Sequence, residues 1–394
     1  MARSTRREFL RTVATGSSTA TAALVAAGLF PRRIFAQESS GFNRIVYRQL
    51  GSTGFKVSEV GFGCMNMREP ELVYAAIDQG INYIDTANRY MNGANEEVVG
   101  EVMKTKRDKV FLTTKVGLSK NIDDMQNEIE ASIKRLQTDH VDLLLLHSVS
   151  SREEILNEKV IKIFDNAIKR GMTRFVGISS HDQVMGLDTA VESKFWEAVL
   201  VPYNYFSPPE VTASIKKARE AGLAIIAMKN FITTERPRQP FPDIRKDKSG
   251  KTTNQQALLK WVLENPYVDT TIPGITSFEQ LSDDIAVMGM KLTLGERSNL
   301  KRFSESTKGY YCHGIAGCSE CQGTCPEGVD IREINRCINY AYGYGSIELA
   351  RENYRALPHS NHVDVCADCD ECVVKCVNGL NLTENIRRAK ELFA

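Results

Sequence analysis

The sequence lacks a charge imbalance, since 50 Lys and Arg residues face 49 Asp and Glu residues and the formal net charge is +1. There is therefore no electrostatic reason to expect nucleic acid or an anionic membrane as a partner. A strongly apolar run is also missing at the N-terminus. Residues 12–30 are only weakly apolar and rich in Ala, Thr, Ser and Gly, which makes them a poor membrane span.

An export signal is the better interpretation of this N-terminal segment, with a membrane anchor as the alternative. TRREFL at residues 5–10 matches the twin-arginine signal pattern, and a plausible cleavage site after Ala36 follows the weakly apolar run. We therefore predict a signal peptide over residues 1–36, recognition by the twin-arginine export machinery, and a periplasmic location. This route carries folded proteins, which suits a protein whose cofactors are inserted in the cytoplasm.

The sequence contains no G-x-G-x-x-G at a strand-to-helix turn, which disfavours a doubly wound dinucleotide-binding sheet. Instead, short apolar strands alternate with loops and amphipathic helices. The predicted strands are 57–63, 81–87, 110–115, 141–147, 174–180, 198–204, 224–230 and 270–274. This alternation predicts an α/β fold, a (β/α)₈ TIM barrel over residues 45–298. VYRQLGSTGFKVSEV (46–60) predicts an N-terminal β-hairpin at the bottom of the barrel.

Four ionisable residues closely follow short apolar runs, at or just beyond the ends of predicted strands: Asp85, Tyr90, Lys115 and His147. Barrel enzymes gather catalytic side chains at the C-terminal ends of their strands. A nearby ammonium lowers the pKa of a phenol, so Lys115, held by Asp85, would activate Tyr90, while His147 would donate to the same carbonyl oxygen. Singly, each residue has a structural alternative as a packing residue or an ion pair. Together they predict carbonyl reduction by hydride from a nicotinamide.

These segments resemble the aldo-keto reductase family. YIDTANRY (83–90), TTK (113–115) and LLLLH (143–147) are similar to the family's catalytic segments, and GFGCM (61–65), VGISSH (176–181), VPYN (201–204) and IPG (272–274) to its cofactor-side segments. The resemblance implies a TIM barrel, a nicotinamide dinucleotide extended across the barrel mouth, and Tyr90 as acid/base. The cofactor-binding residues that it implies are Gly63, Met65, Asp85, Ser179, Ser180, Leu200, Met228, Lys229, Gly274, Gln280, Asp283 and Asp284.

Some of these positions depart from the family pattern. Leu200 stands where a Gln often contacts the nicotinamide carboxamide, and Met228 replaces an aromatic residue. Gln280 aligns with the arginine that binds the NADPH 2′-phosphate, and Gly274 with a lysine. The loss of two cations slightly favours NADH within an overall expectation of NAD(P)H. The Asp pair at 283–284 would suit ribose hydroxyls, with a solvated helix face as the alternative.

Cysteine is nearly absent before Cys312, where only Cys64 occurs, and nine cysteines then fall between Cys312 and Cys376. Two groups with x₅, x₂, x₃ and x₂, x₂, x₃ spacing are similar to those of bacterial ferredoxins, in which three thiolates of one loop share a cluster with a distant fourth. The predicted [4Fe–4S] ligand sets are Cys312, Cys318 and Cys321 with Cys376, and Cys366, Cys369 and Cys372 with Cys325.

Structural zinc and disulfides are the alternatives for these cysteines, although zinc usually takes separated C-x₂-C pairs. The irregular x₅ gap, and Val377 in the place of an expected proline, leave a single cluster as a further alternative. Cys64 and Cys337 are predicted to be packing residues. The helical stretches around the cysteines predict a small all-α, ferredoxin-like domain over residues 301–394. In this the chain resembles a subgroup of aldo-keto reductases that carry such a domain.

The sequence thus predicts an exported oxidoreductase that links a small carbonyl or alcohol substrate, NAD(P)H and one or two 4Fe-4S clusters, with a redox partner at the iron–sulfur domain. Free nicotinamide is not expected to be plentiful outside the cytoplasm, so we expect the dinucleotide to be bound before export. The alternative, motivated by Leu200 and Met228, is a non-catalytic barrel that serves as scaffold for an exported electron-transfer module. Candidates for an apolar substrate pocket, or for core, are Met65, Met67, Met91, Phe206 and Phe231.

Overall fold

The computed structural model describes residues 45–119, 121–231, 252–366, 369 and 372–393, together with the backbone of residues 248–249. The predicted signal peptide lies outside the described residues. The strands are Tyr47–Gln49 (β1), Lys56–Ser58 (β2), Phe62–Gly63 (β3), Tyr83–Asp85 (β4), Phe111–Gly117 (β5), Val141–Val149 (β6), Thr173–Ser180 (β7), Ala198–Pro202 (β8), Ala224–Met228 (β9), Lys248–Ser249 (β10), Thr252–Thr253 (β11) and Thr270–Thr271 (β12).

Eight of these strands form one parallel sheet in the order β3-β4-β5-β6-β7-β8-β9-β12. The two ends of the sheet meet, because Gly61 N donates to Thr271 O at 2.8 Å and Gly63 N donates to Pro273 O at 3.0 Å. The strands are almost wholly buried, as expected for parallel strands covered by helices. Each overlaps a predicted strand, so the predicted α/β fold with eight barrel strands is confirmed.

Helices alternate with these strands, and most begin at a residue with a recognisable capping role. The α-helices are Pro70–Asp78 (α1), Ala94–Lys106 (α2), Met125–Arg135 (α3), Arg152–Ile155 (α4), Glu158–Lys169 (α5), Gln183–Ser193 (α6), Pro209–Glu220 (α7), Asn254–Leu263 (α8), Phe278–Ile285 (α9), Leu294–Thr307 (α10), Ile331–Ile338 (α11), Ile347–Arg355 (α12) and Leu382–Phe393 (α13). In α5, for example, the Asn157 side chain caps the first turn and Val160 and Phe164 are buried. None of the described helices combines the length and apolarity that a bilayer crossing requires.

The strands β1 and β2 form the predicted N-terminal hairpin. It lies at the N-terminal ends of the barrel strands, where Gly51 N donates to the Asp269 carboxylate at 2.8 Å. Arg48 fixes the hairpin through a 2.7 Å ion pair with Glu59 and a 2.8 Å hydrogen bond to Val268 O. The opposite end of the barrel, where the strands finish, is therefore the end available to a substrate.

After α10 the chain forms a separate layer, the C-terminal region (residues 308–393), whose regular elements are all helical among the described residues. Its apolar cluster is built from α11, α13 and several cysteines, including the fully buried Cys337. The predicted boundary between residues 298 and 301 falls inside α10. This helix packs on the barrel, since its Leu300 and Phe303 contact Ala257 and Leu258 of α8.

A small residue is required where the two ends of the barrel sheet meet. A Cβ atom at Gly63 would lie 2.7 Å from Pro273 O and 2.8 Å from Ile272 O, and neither backbone atom can rotate away. We expect Gly63→Ala to lower the free energy of unfolding by about 1–3 kcal/mol through overpacking, measured by urea denaturation. Gly274→Ala is the matched control, because a Cβ there meets no atom within 4 Å. Equal losses in the two variants would contradict this explanation.

Candidate active site

Three of the predicted catalytic residues lie near the C-terminal ends of successive strands. Asp85 ends β4, Lys115 is close to the end of β5, and His147 is close to the end of β6. Tyr90 follows β4 in a short 3₁₀ turn. Because the carboxyl ends of parallel strands share one edge of the barrel, all four side chains reach the same end.

The Lys115 ammonium is the centre of this group. Its Nζ lies 2.5 Å from Asp85 Oδ1, 2.7 Å from the Thr86 carbonyl oxygen and 3.4 Å from Tyr90 Oη. The Tyr90 and His147 rings meet edge to face, with centroids 5.9 Å apart. Lys115 and Asp85 are each only 1% exposed, so this ion pair is shielded from solvent and its geometry is fixed by the strands.

The electrostatics differ from the prediction at one point. Burial raises the pKa of Tyr90 above its ordinary value, and the opposing effect of Lys115 is smaller. Burial lowers the pKa of Lys115, but Asp85 and Tyr90 together outweigh it, so the pKa of Lys115 is raised and the ammonium keeps its charge. The expected net lowering of the Tyr90 pKa is therefore wrong: at neutral pH the phenol is protonated and can donate.

His147 is a neutral imidazole at this site. Burial, followed by the charges of Lys115, Arg89 and Lys229, holds its pKa well below the usual range. Its Nδ1 atom is buried and has no hydrogen-bond partner among the described residues. A neutral imidazole has one N–H donor and one acceptor, so the ring can donate to a carbonyl oxygen without itself requiring a counterion.

Three of the predicted cofactor residues form hydrogen bonds or pack within the barrel itself. Ser179 Oγ accepts a hydrogen bond from Ser148 N at 2.9 Å, and Ser180 Oγ donates to Val149 O at 2.8 Å. Both hydroxyls tie the end of β7 to the end of β6. Leu200 is buried among the aliphatic side chains that fill the barrel interior, so it supplies packing where the family pattern has an amide.

Other predicted cofactor residues lie at the open end of the barrel. Gly63 ends β3, Met228 ends β9, and Gly274 is exposed just after β12. Met65 and Met228 are half-buried. Lys229 follows β9 directly, and its carbonyl oxygen accepts a hydrogen bond from Asn204 Nδ2 at 2.9 Å.

The residues predicted near the adenosine end have a different role. Gln280 is buried, and its side chain accepts a hydrogen bond from Thr276 N at 2.6 Å. Asp284 has no exposed surface and accepts a hydrogen bond from Gln255 of α8 at 2.9 Å. Asp284 therefore packs α9 against α8 and is neither a ribose contact nor part of a solvated face. Asp283 is half-buried, and its carbonyl oxygen accepts from Gln256.

The family model described as "Aldo/keto reductase family" matches residues 63–234, which contain all four catalytic candidates. Residues 63–234 of the barrel are thus similar to the aldo/keto reductase family. The uncharacterised oxidoreductase YqkF of Bacillus subtilis is 26% identical over 302 residues, 66% of this chain and 96% of its own length. The aldo-keto reductase YhdN of the same organism is 26% identical over 66% of this chain and 94% of its own.

A solved aldo-keto reductase from Klebsiella pneumoniae in complex with NADPH superimposes with a TM-score of 0.57 and 25% identity, covering 66% of this chain and 95% of that one. A further structure, the holo form of an aldo-keto reductase from Bacillus halodurans, superimposes with a TM-score of 0.56 at 24% identity and confirms the fold. The reductase barrel is thus that of an NAD(P)-dependent oxidoreductase.

Sequence reasoning missed a set of buried polar groups beside the four catalytic candidates, Asp85, Tyr90, Lys115 and His147, which are called the tetrad below. Thr86, whose carbonyl holds Lys115, donates to Asn95 Oδ1 at 2.7 Å, and Asn95 in turn donates to the Cys64 and Met67 carbonyls. These contacts fix the loop after β3 against the loop after β4. A single Asn at the start of a helix gives no sequence signal for such a role.

Sequence reasoning also missed that the C-terminal region contacts the open end of the barrel. Tyr344 Oη donates to Phe231 O at 2.8 Å, and the His313 ring lies 4.8 Å from that of Phe206. These two Phe residues, candidates for a substrate pocket, thus meet the C-terminal region. Met67 is core, while Met65 and Met91 are half-buried.

The eight predicted cysteine ligands approach one another in two groups. Burial raises the pKa of Cys312 to about 12, and Cys321, Cys376 and Cys318 add to that rise through their charges. The same four residues line one small cavity. Burial also raises the pKa of Cys366, with further contributions from the charges of Cys325, Cys369 and Cys372. The assignment of these cysteines as cluster ligands stays a prediction.

Proposed function

We propose that the chain reduces a carbonyl compound with NADP(H), using Tyr90 as proton donor, and that its C-terminal region carries iron–sulfur clusters. The observation that carries the barrel assignment is the contact of one buried ammonium, Lys115 Nζ, with both Asp85 and Tyr90. This contact holds the phenol beside the His147 ring at the strand ends, where the substrates of barrel enzymes bind.

The side chains divide the reaction between them. A bound nicotinamide supplies the hydride to the carbonyl carbon. His147 donates its N–H to the carbonyl oxygen, and Tyr90 delivers the proton that turns this oxygen into a hydroxyl. The Lys115 ammonium stabilises the phenolate that Tyr90 then carries until a proton returns from solvent, and Asp85 keeps that ammonium in place.

The open end of the reductase barrel fits a dinucleotide. Gly274 is exposed there with space where a side chain would be, and Met228 and Lys229 lie at the same end. The buried position of Asp284 removes a carboxylate that would have repelled a 2′-phosphate, and the similar Klebsiella pneumoniae enzyme was solved with NADPH. Both observations support NADP(H) over the slight sequence preference for NADH.

For the C-terminal cysteines, the two groups support [4Fe–4S] ligation over zinc or disulfides. All described cysteines have free thiols. No three of their sulfur atoms lie within 4.8 Å of one another in the described residues, whereas sulfurs bound to one zinc ion at about 2.3 Å would be closer than that. Two groups of four cysteines match the four thiolates that each [4Fe–4S] cluster takes. This ferredoxin-like assignment covers the predicted domain over residues 301–394.

Export through the twin-arginine route, a periplasmic location and a redox partner remain parts of this proposal. Two clusters would together take the two electrons of one hydride equivalent, one electron each, and pass them singly to a partner. A dinucleotide bound before export and retained afterwards would make this exchange independent of free nicotinamide.

Isotope transfer tests the proposed reduction. Anaerobically purified protein would be incubated with NADPH deuterated at C4 of the nicotinamide and a panel of aldehydes. Deuterium in the carbinol position of the product is the expected result, because hydride passes directly between the two carbons. NADPH oxidation without labelled alcohol would contradict the proposal and favour the scaffold alternative.

The pH dependence of this reaction follows from the two pKa shifts. Tyr90 must be protonated to donate, and its pKa is raised, so activity should be lost only as the pH rises above about 10. The pKa of His147 lies well below its usual range, so no second loss is expected down to about pH 6. The measurement is kcat/KM for aldehyde reduction across this range. A break near the ordinary histidine pKa would show that the imidazole is not neutral.

A further inference from the structure

Lys229 is a cation held between the barrel and the C-terminal region. It follows β9 directly, and its backbone has a φ of 53°, a left-handed conformation that a lysine rarely adopts. Its Nζ lies 4.7 Å from the ring centroid of Tyr340 and 5.3 Å from that of Tyr344. The strained backbone thus directs the ammonium under two tyrosines from a distant part of the chain.

This ammonium has no anionic partner in the described parts of the chain. Among the described residues no carboxylate forms an ion pair with Lys229, whereas the neighbouring Arg336 is paired with Glu333 at 2.5 Å. Burial lowers the pKa of Lys229, Tyr340 opposes that effect, and the charges of Arg336 and Lys115 add to it. Contact with the tyrosine faces offsets part of the desolvation cost, and an anion beside the ammonium would offset more of it.

The charge of the Lys229 ammonium extends to the reaction centre. The positive charge of Lys229 lowers the pKa of both His147 and His181. The Nδ1 atoms of these two rings are buried and have no hydrogen-bond partner in the described parts of the chain. Tyr340, whose ring lies over the Lys229 ammonium, also raises the pKa of Tyr90 through its charge. Positive charge and two unpartnered imidazole nitrogens therefore lie near the proposed position of the carbonyl.

We propose that the substrate is an anionic carbonyl compound, an oxo acid whose carboxylate pairs with Lys229 beneath Tyr340 and Tyr344 while its carbonyl lies against Tyr90 and His147. This rests on the proposed carbonyl reduction and adds the substrate class. It also gives the C-terminal region a part in substrate recognition. The same ammonium could instead bind a phosphate of the dinucleotide, so the experiment separates the two sources of negative charge.

The test compares each acid with its uncharged ester. The probes are 4-oxobutanoate and 4-carboxybenzaldehyde, each with its methyl ester, and the readout is the acid-to-ester ratio of kcat/KM. We expect wild-type protein to prefer the acids, and Lys229→Met to lower that ratio about 10- to 100-fold, the size expected for a lost charged hydrogen bond. Lys229→Arg should retain most of the preference because the charge remains. Lys216→Met is the matched control, since Lys216 also lies over a tyrosine, Tyr267, but on the far side of α7.

The outcomes separate this inference from the proposed function. If neither acid nor ester is reduced by wild-type protein, the proposed reduction itself fails. If both are reduced with equal kcat/KM, or if Lys229→Met leaves the ratio unchanged, the carboxylate site is overturned while the reductase assignment stands. An unchanged ratio with a raised Kd for NADPH, measured by fluorescence titration, would assign Lys229 to the dinucleotide phosphates and likewise overturn it.

Discussion

The Tyr90→Phe variant should lose carbonyl reduction almost completely, with kcat lower by about 10²- to 10⁴-fold, the usual contribution of a positioned general acid. Phenylalanine keeps the ring beside His147 and removes only the oxygen that lies 3.4 Å from Lys115 Nζ. The ion pair between Lys115 and Asp85 does not depend on that oxygen, so the fold should be retained. The measurement is the single-turnover rate of NADPH oxidation with saturating aldehyde.

The control for this experiment is Tyr47→Phe. The Tyr47 hydroxyl also makes one hydrogen bond, to Gly80 O at 2.8 Å, but it lies in the hairpin at the opposite end of the barrel. Its loss should leave the single-turnover rate near that of the wild-type protein. A Tyr90→Phe protein that still reduces aldehydes at the wild-type rate would contradict the assignment and favour the scaffold alternative.

Replacing Cys376 or Cys325 by Ala should each remove about half of the bound iron and of the visible absorbance, if each serves a different cluster. The two residues are informative because each is predicted to leave its own loop and join the other group. Cys376 groups with Cys312, and Cys325 with Cys366. Iron content and the anaerobic visible spectrum are the measurements.

Cys337→Ala is the matched control for the cluster experiment. Cys337 is buried in α11 within the same apolar cluster, but it is not among the predicted ligands, so its loss should leave the iron content unchanged. Zinc without iron in the wild-type protein would overturn the cluster assignment. Complete loss of iron in both ligand variants would instead indicate a single cluster or a cooperative site.

The sequence was informative wherever a short pattern determined a local structure. Each parallel strand is buried on both faces, so its apolar run and length are visible in the chain. Catalytic side chains that follow such runs must share one edge of the barrel, which is why Asp85, Lys115 and His147 could be placed together. The spacing of cysteines within each loop is likewise a local property, whereas the fourth ligand of each predicted set comes from the other loop.

Packing between residues distant in the sequence could not be predicted in this way. Nothing near Asp284 indicates that it turns inward to hold Gln255, and an aspartate pair on a helix reads equally well as a solvated face. The net shift of the Tyr90 pKa depends on how completely the phenol is buried, which neighbouring residues in the sequence do not reveal. The approach of Tyr340 and Tyr344 to Lys229 depends on how the C-terminal region packs on the barrel.

The hydrogen bond from Tyr344 to Phe231 joins positions 113 residues apart. During synthesis the ribosome completes every strand of the barrel, and all four tetrad residues, well before it adds the tyrosines that cover Lys229. A nascent chain at that stage would hold the proposed proton donor without the tyrosines that complete the proposed carboxylate site. With Lys229 in the proposed role, selectivity would depend on the part of the chain that is synthesised last.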